Sequence, residues 1–387
     1  MKTILFLQSE IKDPYKFYEE MLHEHPVYRE EANRLWAIYS YEYCKAILNN
    51  PAADIPALNQ NNKDGLNDYA LLIAGQFARL SNDADHEIAR AVAMLLFEKM
   101  KIISITEKVK MLLKKEVKKN ETDWVSSICR KLPVIVVLKS FDFSKEDCDF
   151  ISDKTEQLTK IMLPHKTPEQ VAEINGFSKE IYYCVEKHLL NTGFYKSIIN
   201  ELAKKYKIMA EKIMVFCISN LIGLFIQSYD AGRGMLSNSF LQILKDGKSI
   251  HNITSKEYFK KSVIETLRFD PPIHNTRRIA VDNIILNNAL IKKGDAILIV
   301  LAAANRDPQQ FTRPGNFNIE RANNNEHLTF GSGNHACVAN QFSIILAVET
   351  LRCFFEQYKK VSLVEKQILY EPLINARLPK KILISFS

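Results

Sequence analysis

The chain has 387 residues, 47% hydrophobic and 25% charged, enough to bury a substantial core. Lys and Arg number 52 against 45 Asp and Glu, a net charge of +7 that reads as a solvated surface. The basic clusters, such as 114–119, are broken by Glu116 and Val117, which speaks against a nucleic-acid stripe; an acidic protein partner is a weaker reading.

Seven cysteines (Cys44, Cys129, Cys148, Cys184, Cys217, Cys337 and Cys353) are scattered singly, with no C-x-x-C spacing. That argues against a disulfide framework or a zinc site, and for a reducing compartment. The apolar start at 4–7 is too short for a signal-peptide core or a membrane anchor, so a cytoplasmic protein without a membrane span is expected. With no linker, low-complexity tract or repeat, one domain over 1–387 is expected.

Asp13-Pro14-Tyr15 opens an amphipathic helix running to Leu22, with Pro at an early helical position. Alternation over 27–41 predicts a strand pair, followed by a helix at 43–48. Residues 51–80, rich in Asn, Asp and Ala, read as a long irregular loop. Helical patterns follow at 86–98, 103–119, 122–140, 146–162 and 168–190. The longest run is about 208–240. It is apolar over 214–226, yet Gln227, Ser228, Tyr229, Asp230 and Arg233 interrupt it, as in a helix buried through a globular core and unlike a membrane span. Short β-like runs at 278–281, 284–290 and 296–300 precede a helix at 340–358 and a strand-rich tail at 361–386. The fold class is mainly α with a small β portion.

Chemistry concentrates at Phe330-Gly331-Ser332-Gly333-Asn334-His335-Ala336-Cys337. Two glycines allow a tight turn around a bound group, and Cys337 stands just ahead of a helix whose N-terminus favours a thiolate. Taken alone, the segment fits either a thiolate ligand to haem iron or an inert buried cysteine.

This segment resembles the haem-binding loop of the cytochrome P450 family, Phe-Gly-x-Gly-x-His/Arg-x-Cys-x-Gly. Glu265-Thr266-Leu267-Arg268 resembles the family's Glu-x-x-Arg helix, and Asn305-Arg306-Asp307-Pro308 its Asn-Arg-Asp-Pro turn. Phe317-Asn318-Ile319-Glu320-Arg321 resembles the stretch whose arginine completes a triad with that Glu and Arg. His86-Glu87-Ile88-Ala89-Arg90 resembles the helix whose His and Arg hold the haem propionates. The matches fall in family order and cover nearly the whole chain. The resemblance implies the P450 fold, with haem b between the long central helix and the cysteine-loop helix. It implies Cys337 as axial ligand in a loop opened by Phe330, and His86, Arg90, Arg278 and His335 as propionate donors. His86 and Arg90, four apart on a helix, share one face. Glu265, Arg268 and Arg321 are expected to form a buried architectural triad.

The chain departs from the family pattern at three places. The glycine after the cysteine is Ala339, and the usual Leu-Ala of the next helix is Phe342-Ser343. In the long helix, where the family has Ala/Gly-Gly-x-Asp/Glu-Thr to relay protons, this chain has Gln227-Ser228-Tyr229-Asp230-Ala231. The acid is kept and the alcohol is lost; Gly232 and Gly234 follow, which is expected to make the helix easy to distort. Gln227, four residues before Ala231, is on the same face.

The resemblance implies a monomeric oxidoreductase acting on a small molecule in secondary metabolism, with a ferredoxin or flavodoxin as electron donor. Oxidative coupling, peroxide-driven oxidation or dehydration without ordinary monooxygenation is the alternative, and a non-catalytic haem binder a further one. By resemblance the pocket draws on 55–80, 160–180, 223–231, 273–275 and 373–374. Gln227, Ser228, Tyr229, His274 and Asn275 would be its polar handles, favouring a functionalised or aromatic substrate.

Overall fold

In the computed structural model, the described residues are 4–31, 34–56, 65–101, 103–116, 120–163, 166–193, 195–245 and 255–387. Part of the expected loop (57–64), the end of the basic run (117–119) and residues 164–165 of the expected pocket lie outside them.

In chain order the elements begin α1 (Pro14–Glu24), β1 (Val27–Glu30), β2 (Leu35–Ile38), α2 (Tyr41–Leu48) and β3 (Ala53–Asp54). Next come α3 (Asp68–Gly75), α4 (Asp83–Lys99), α5 (Ile105–Glu116), β4 (Glu121–Asp123), α6 (Leu132–Ser140) and α7 (Lys145–Thr159). The long helices follow: α8 (Pro168–Thr192), α9 (Tyr195–Tyr206), α10 (Ala210–Lys245) and α11 (Lys256–Phe269). The chain then forms β5 (Thr276–Ala280), β6 (Ile284–Leu286), β7 (Ala289–Ile291), β8 (Ala296–Ile299) and the short α12 (Leu301–Ala304). It ends with α13 (Asn340–Gln357), β9 (Val361–Leu363) and β10 (Leu383–Phe386).

Helix starts follow capping chemistry written in the sequence. Asp13 accepts from the Tyr15 N–H at 3.0 Å with Pro14 behind it, and Ser144 accepts from Asp147. Thr167 and Gln170 form a reciprocal capping box at α8, which ends on Gly193 at φ +71°. Three expectations need correction. The Asn-rich loop contains α3, whose Asn67 cap accepts from the Ala70 N–H at 2.9 Å. The single β run at 284–290 is the hairpin β6–β7, turned by Asn287 and Asn288, both at positive φ, as a two-residue hairpin favours. The helix expected at 122–140 is β4, a π-helical turn at Val125–Cys129 and α6.

The chain divides into two compact units. The first comprises Met1–Asp54, Ile105–Leu132 and Asp230–Ser387. It holds a five-stranded sheet ordered β1-β2-β8-β5-β3, in which only β2 and β8 run parallel. A three-stranded sheet, β4-β10-β9, closes the C-terminal end. An aromatic core joins its helices. Trp124 stacks on Phe240 of α10 at 4.5 Å between centroids, and Phe240 stacks on Phe355 of α13 at 5.4 Å. The second unit, Ile55–Ser104 with Pro133–Tyr229, is helical in its described residues and packs α3 and α7 on α8 and α9 on α4. The boundary falls within α10, between Tyr229 and Asp230. That helix is long and apolar enough to cross a membrane, but 61% of its most apolar window is buried inside the protein, as a core helix requires.

α10 runs unbroken through Gly232 and Gly234. At Gly234 a side chain would strike Pro272 Cβ at 2.5 Å and Leu378 Cδ2 at 2.4 Å. The glycine permits close packing and leaves the helix regular.

Candidate functional site

The loop at 330–337 is closed by its own backbone. Cys337 N–H donates to Phe330 O at 2.8 Å, Ala336 N–H to Gly333 O and Gly331 N–H to Leu328 O. Gly331 and Gly333 sit at φ +72° and +69°, and a Cβ at Gly333 would lie 2.9 Å from both Leu48 O and Asn49 Oδ1. Only glycine meets both constraints at 333. Ala339, where the family pattern has glycine, has φ −95° and ψ 9°, ordinary for any residue, so the departure carries no strain.

Cys337 lies three residues ahead of α13, whose N-cap Ala339 provides no side-chain acceptor. A helix start without a cap leaves N–H groups and a positive dipole end, which stabilise an anionic sulfur placed there. Cys337 is exposed, whereas five other cysteines are buried and Cys184 is half-buried. Burial raises the thiols of all six others; Cys184 and Cys217 are pushed up to about 12. Cys337 is therefore the thiol whose surroundings suit a thiolate ligand. The donor set fits a haem iron.

The loop is positioned by buried polar groups. Glu265 and Arg268, both 0% exposed, pair through Arg268 Nε–Oε2 at 3.0 Å and Nη2–Oε1 at 2.6 Å. Arg321 Nε adds a 3.4 Å bond to the same carboxylate. Arg268 also donates to the carbonyls of Asn305, Pro314 and Asn316, and Arg321 to those of Thr312 and Asn316. Asn305 accepts from Leu328 N–H at 2.6 Å and donates to Thr329 Oγ1, which itself donates to Leu267 O. The triad, the Asn305 turn and the start of the cysteine loop thus form one connected frame. Asn305 and Thr329 were not assigned this role in advance, since only the folded contact reveals it.

The other expected site residues are placed as follows. His335 is in the loop's single 3₁₀ turn, and Arg278 is on β5 with 3% exposure, donating to Arg277 O at 2.8 Å. In the second unit, His86 and Arg90 are on α4, with His86 Nδ1 2.8 Å from Ala78 O. Gln227 Nε2 donates to Gly223 O, one turn back along its own helix, at 3.0 Å. Asp230 accepts from Arg233 Nη2 at 2.9 Å, and Ala231 is half-buried on α10.

The expected polar handles also have partners within the protein. Ser228 donates to Phe225 O, Tyr229 to Glu156 and Asn275 to Ile374 O. His274 is fully buried, with Nδ1 3.0 Å from Tyr18 Oη and Nε2 3.4 Å from Tyr15 Oη. Burial pushes His274 well below the usual imidazole range, and burial with the Arg268 charge pushes His327 down to about 4. Both stay neutral in the fold, while the unfolded chain protonates them below about pH 6.5. The unfolded state then binds more protons, so stability should fall as pH drops below about 6.5, in the case of His327 down to about 4, by up to about 1.4 kcal/mol per pH unit for each group. Urea midpoints at pH 7, 6 and 5 should decline stepwise, more shallowly in His327→Gln; a flat series contradicts this.

Comparison with known proteins agrees with this frame. A family model described as Cytochrome P450 matches residues 236–380. The Biotin biosynthesis cytochrome P450 of Bacillus subtilis (strain 168) is 24% identical over 390 residues, covering 97% of each chain. Among solved structures, CalO2 superimposes with a TM-score of 0.86 at 18% identity, covering 100% of this chain and 99% of that one. P450BioI, in complex with hexadec-9Z-enoic acid ligated acyl carrier protein, gives 0.79 at 22% identity, covering 97% and 99%. Fold and cysteine loop together define a haem-thiolate protein. The family model, the relatives and the solved structures together support the cytochrome P450 family, whose members bind haem, iron protoporphyrin IX, through a cysteine thiolate.

Proposed function

We propose that this chain is one cytoplasmic, monomeric P450 domain over 1–387 that oxidises a small organic molecule in secondary metabolism. Dioxygen is the oxidant, and electrons come from a ferredoxin or flavodoxin partner. The observation that carries the reading is Cys337, exposed in a glycine-shaped loop ahead of a helix without a side-chain cap. Bound haem supplies an iron centre whose thiolate ligand favours O–O cleavage. In this reading Cys337 holds the iron, Phe330 opens the loop, and Arg278, His335, His86 and Arg90 hold the two propionates. His86 Nδ1 donates to Ala78 O, which leaves Nε2 as the ring nitrogen for a propionate in this reading. The Bacillus relative's role and the acyl carrier protein in the P450BioI complex make carrier-bound acyl chains the first substrate class to screen.

A second reading, oxidation driven by peroxide or coupling without oxygen insertion, draws support from the distal helix. Ala231 has no hydrogen-bond donor on its side chain, and the Asp230 carboxylate is paired with Arg233. Turnover with NAD(P)H plus ferredoxin and reductase, compared with turnover on peroxide, separates the two. Under the first reading, Ala231→Thr restores an alcohol beside the acid and reduces the peroxide leaked with poor substrates. Under the second it leaves that leak unchanged or obstructs the site.

A further inference from the structure

We propose that Tyr69 and Tyr183 form a modification site, at which oxidation with hydrogen peroxide joins the two rings as dityrosine; this rests on the haem-thiolate reading for the oxidant alone. Tyr69 is on α3 and Tyr183 on α8, both in the second unit. Their hydroxyl oxygens stand 2.5 Å apart, and the ring centroids 5.3 Å apart with the planes inclined at 56°. Two rings meeting head-on through their hydroxyls would have far more distant centres. At 5.3 Å the rings lie alongside each other, so the carbons ortho to the hydroxyls are the ones brought close. Those are the carbons that a dityrosine joins, and a biphenyl with hydroxyls beside the new bond is itself twisted.

The register of the pair is set by side chains a short way before each tyrosine. Asn67 N–H donates to Asn175 Oδ1 at 2.7 Å and Asn67 Nδ2 to Asn175 O at 3.0 Å, while Ser178 Oγ donates to Asn67 Oδ1 at 2.9 Å. Asn67 also caps α3, so these bonds fix where that helix starts against α8. Tyr182 brings its ring centroid to 5.5 Å from that of Tyr69, but it is 6% exposed, whereas Tyr183 is 45% exposed. Oxidation of a phenol releases a proton. Of the two neighbours, Tyr183 is the one open to solvent that can receive it.

Each phenol gives up one electron and its hydroxyl proton, and the two phenoxyl rings couple through one ortho carbon each. Those carbons then release their hydrogens, which restores both hydroxyls. In sum one C–C bond forms, two C–H bonds break, and two electrons and two protons leave. One hydrogen peroxide takes up both electrons and both protons as its O–O bond breaks, and departs as two water molecules. Bound haem supplies the centre at which peroxide is reduced. The product ties α3 to α8 by a covalent bond in place of a hydrogen bond.

Holoenzyme treated with stoichiometric hydrogen peroxide, then digested and analysed by mass spectrometry, gives the first readout. It should yield a Tyr69–Tyr183 peptide pair from within one chain, lighter by two hydrogen atoms than the separate peptides, together with the blue fluorescence of dityrosine. Tyr69→Phe and Tyr183→Phe should each abolish the pair, and Tyr182→Phe should retain it. The second readout is hydrogen exchange at the α3 amides, which should slow several-fold in the linked protein and stay unchanged in peroxide-treated Tyr183→Phe. A parallel holoenzyme sample receives a plant peroxidase along with the peroxide. A pair linked only in that sample supports the site and counts against the chain's own haem as oxidant, so failure of the haem reading is told apart from failure of this one. The inference is overturned if neither sample yields the Tyr69–Tyr183 pair, if Tyr69 links to Tyr182 in its place, or if Tyr183→Phe leaves the linked mass and the fluorescence unchanged.

Discussion

Cys337→Ala should abolish the red-shifted Soret band that reduced, thiolate-ligated haem shows under carbon monoxide. The loss should be complete, because no other thiol can substitute. Five of the remaining cysteines are buried, Cys184 is half-buried, and burial raises all six thiols above their usual range. Cys337 alone combines exposure with a helix start that carries no side-chain cap. Cys44→Ala and Cys217→Ala should therefore retain the band. A Cys337→Ala protein that keeps it contradicts the ligand assignment; a variant in another cysteine that loses it while staying folded does the same.

Glu265→Ala should cost about 3–5 kcal/mol, since it strands two buried cations in a low-dielectric interior. Arg268 is 0% exposed and Arg321 6%, and Glu265 Oε1 also accepts the Asn318 N–H at 2.9 Å. The loss spreads, because Arg268 ties the Asn305 turn to the strand of carbonyls at 314–316 and Asn305 ties in the start of the cysteine loop. The expected product is haem-poor or aggregated protein, read as the haem Soret absorbance relative to protein absorbance together with the urea midpoint. Arg321→Ala, which removes one bond of 3.4 Å to Glu265, should be milder. A soluble, fully loaded Glu265→Ala variant of unchanged midpoint would sink the architectural role.

Local chemistry made much of this readable in advance. Asp13-Pro14 starts a helix because the Asp13 side chain satisfies an N–H group two residues on. The two glycines of the cysteine loop mark positive φ, and the spacing of Glu265 and Arg268 places both on one helix turn. The errors were of two kinds. Some were local signals misread: Asn67 is a helix cap inside a stretch read as loop, and Asn287-Asn288 is a hairpin turn inside a run read as one strand. Others were beyond any local pattern, because composition shows a polar group without showing its partner.

The sequence by itself determined the predominantly helical class, the cysteine loop and the Glu265–Arg268 pair. Each depends on backbone preference or on residues within a few positions, where helix and turn geometry fix the neighbours. Tertiary structure alone decided that His274 is held by Tyr15 and Tyr18, and that Arg233 is divided between Asp230 and Glu371. Glu371 stands 138 residues from Arg233. Which distant charge meets a buried one follows from how the segments pack, and burial then makes that pairing strong enough to matter.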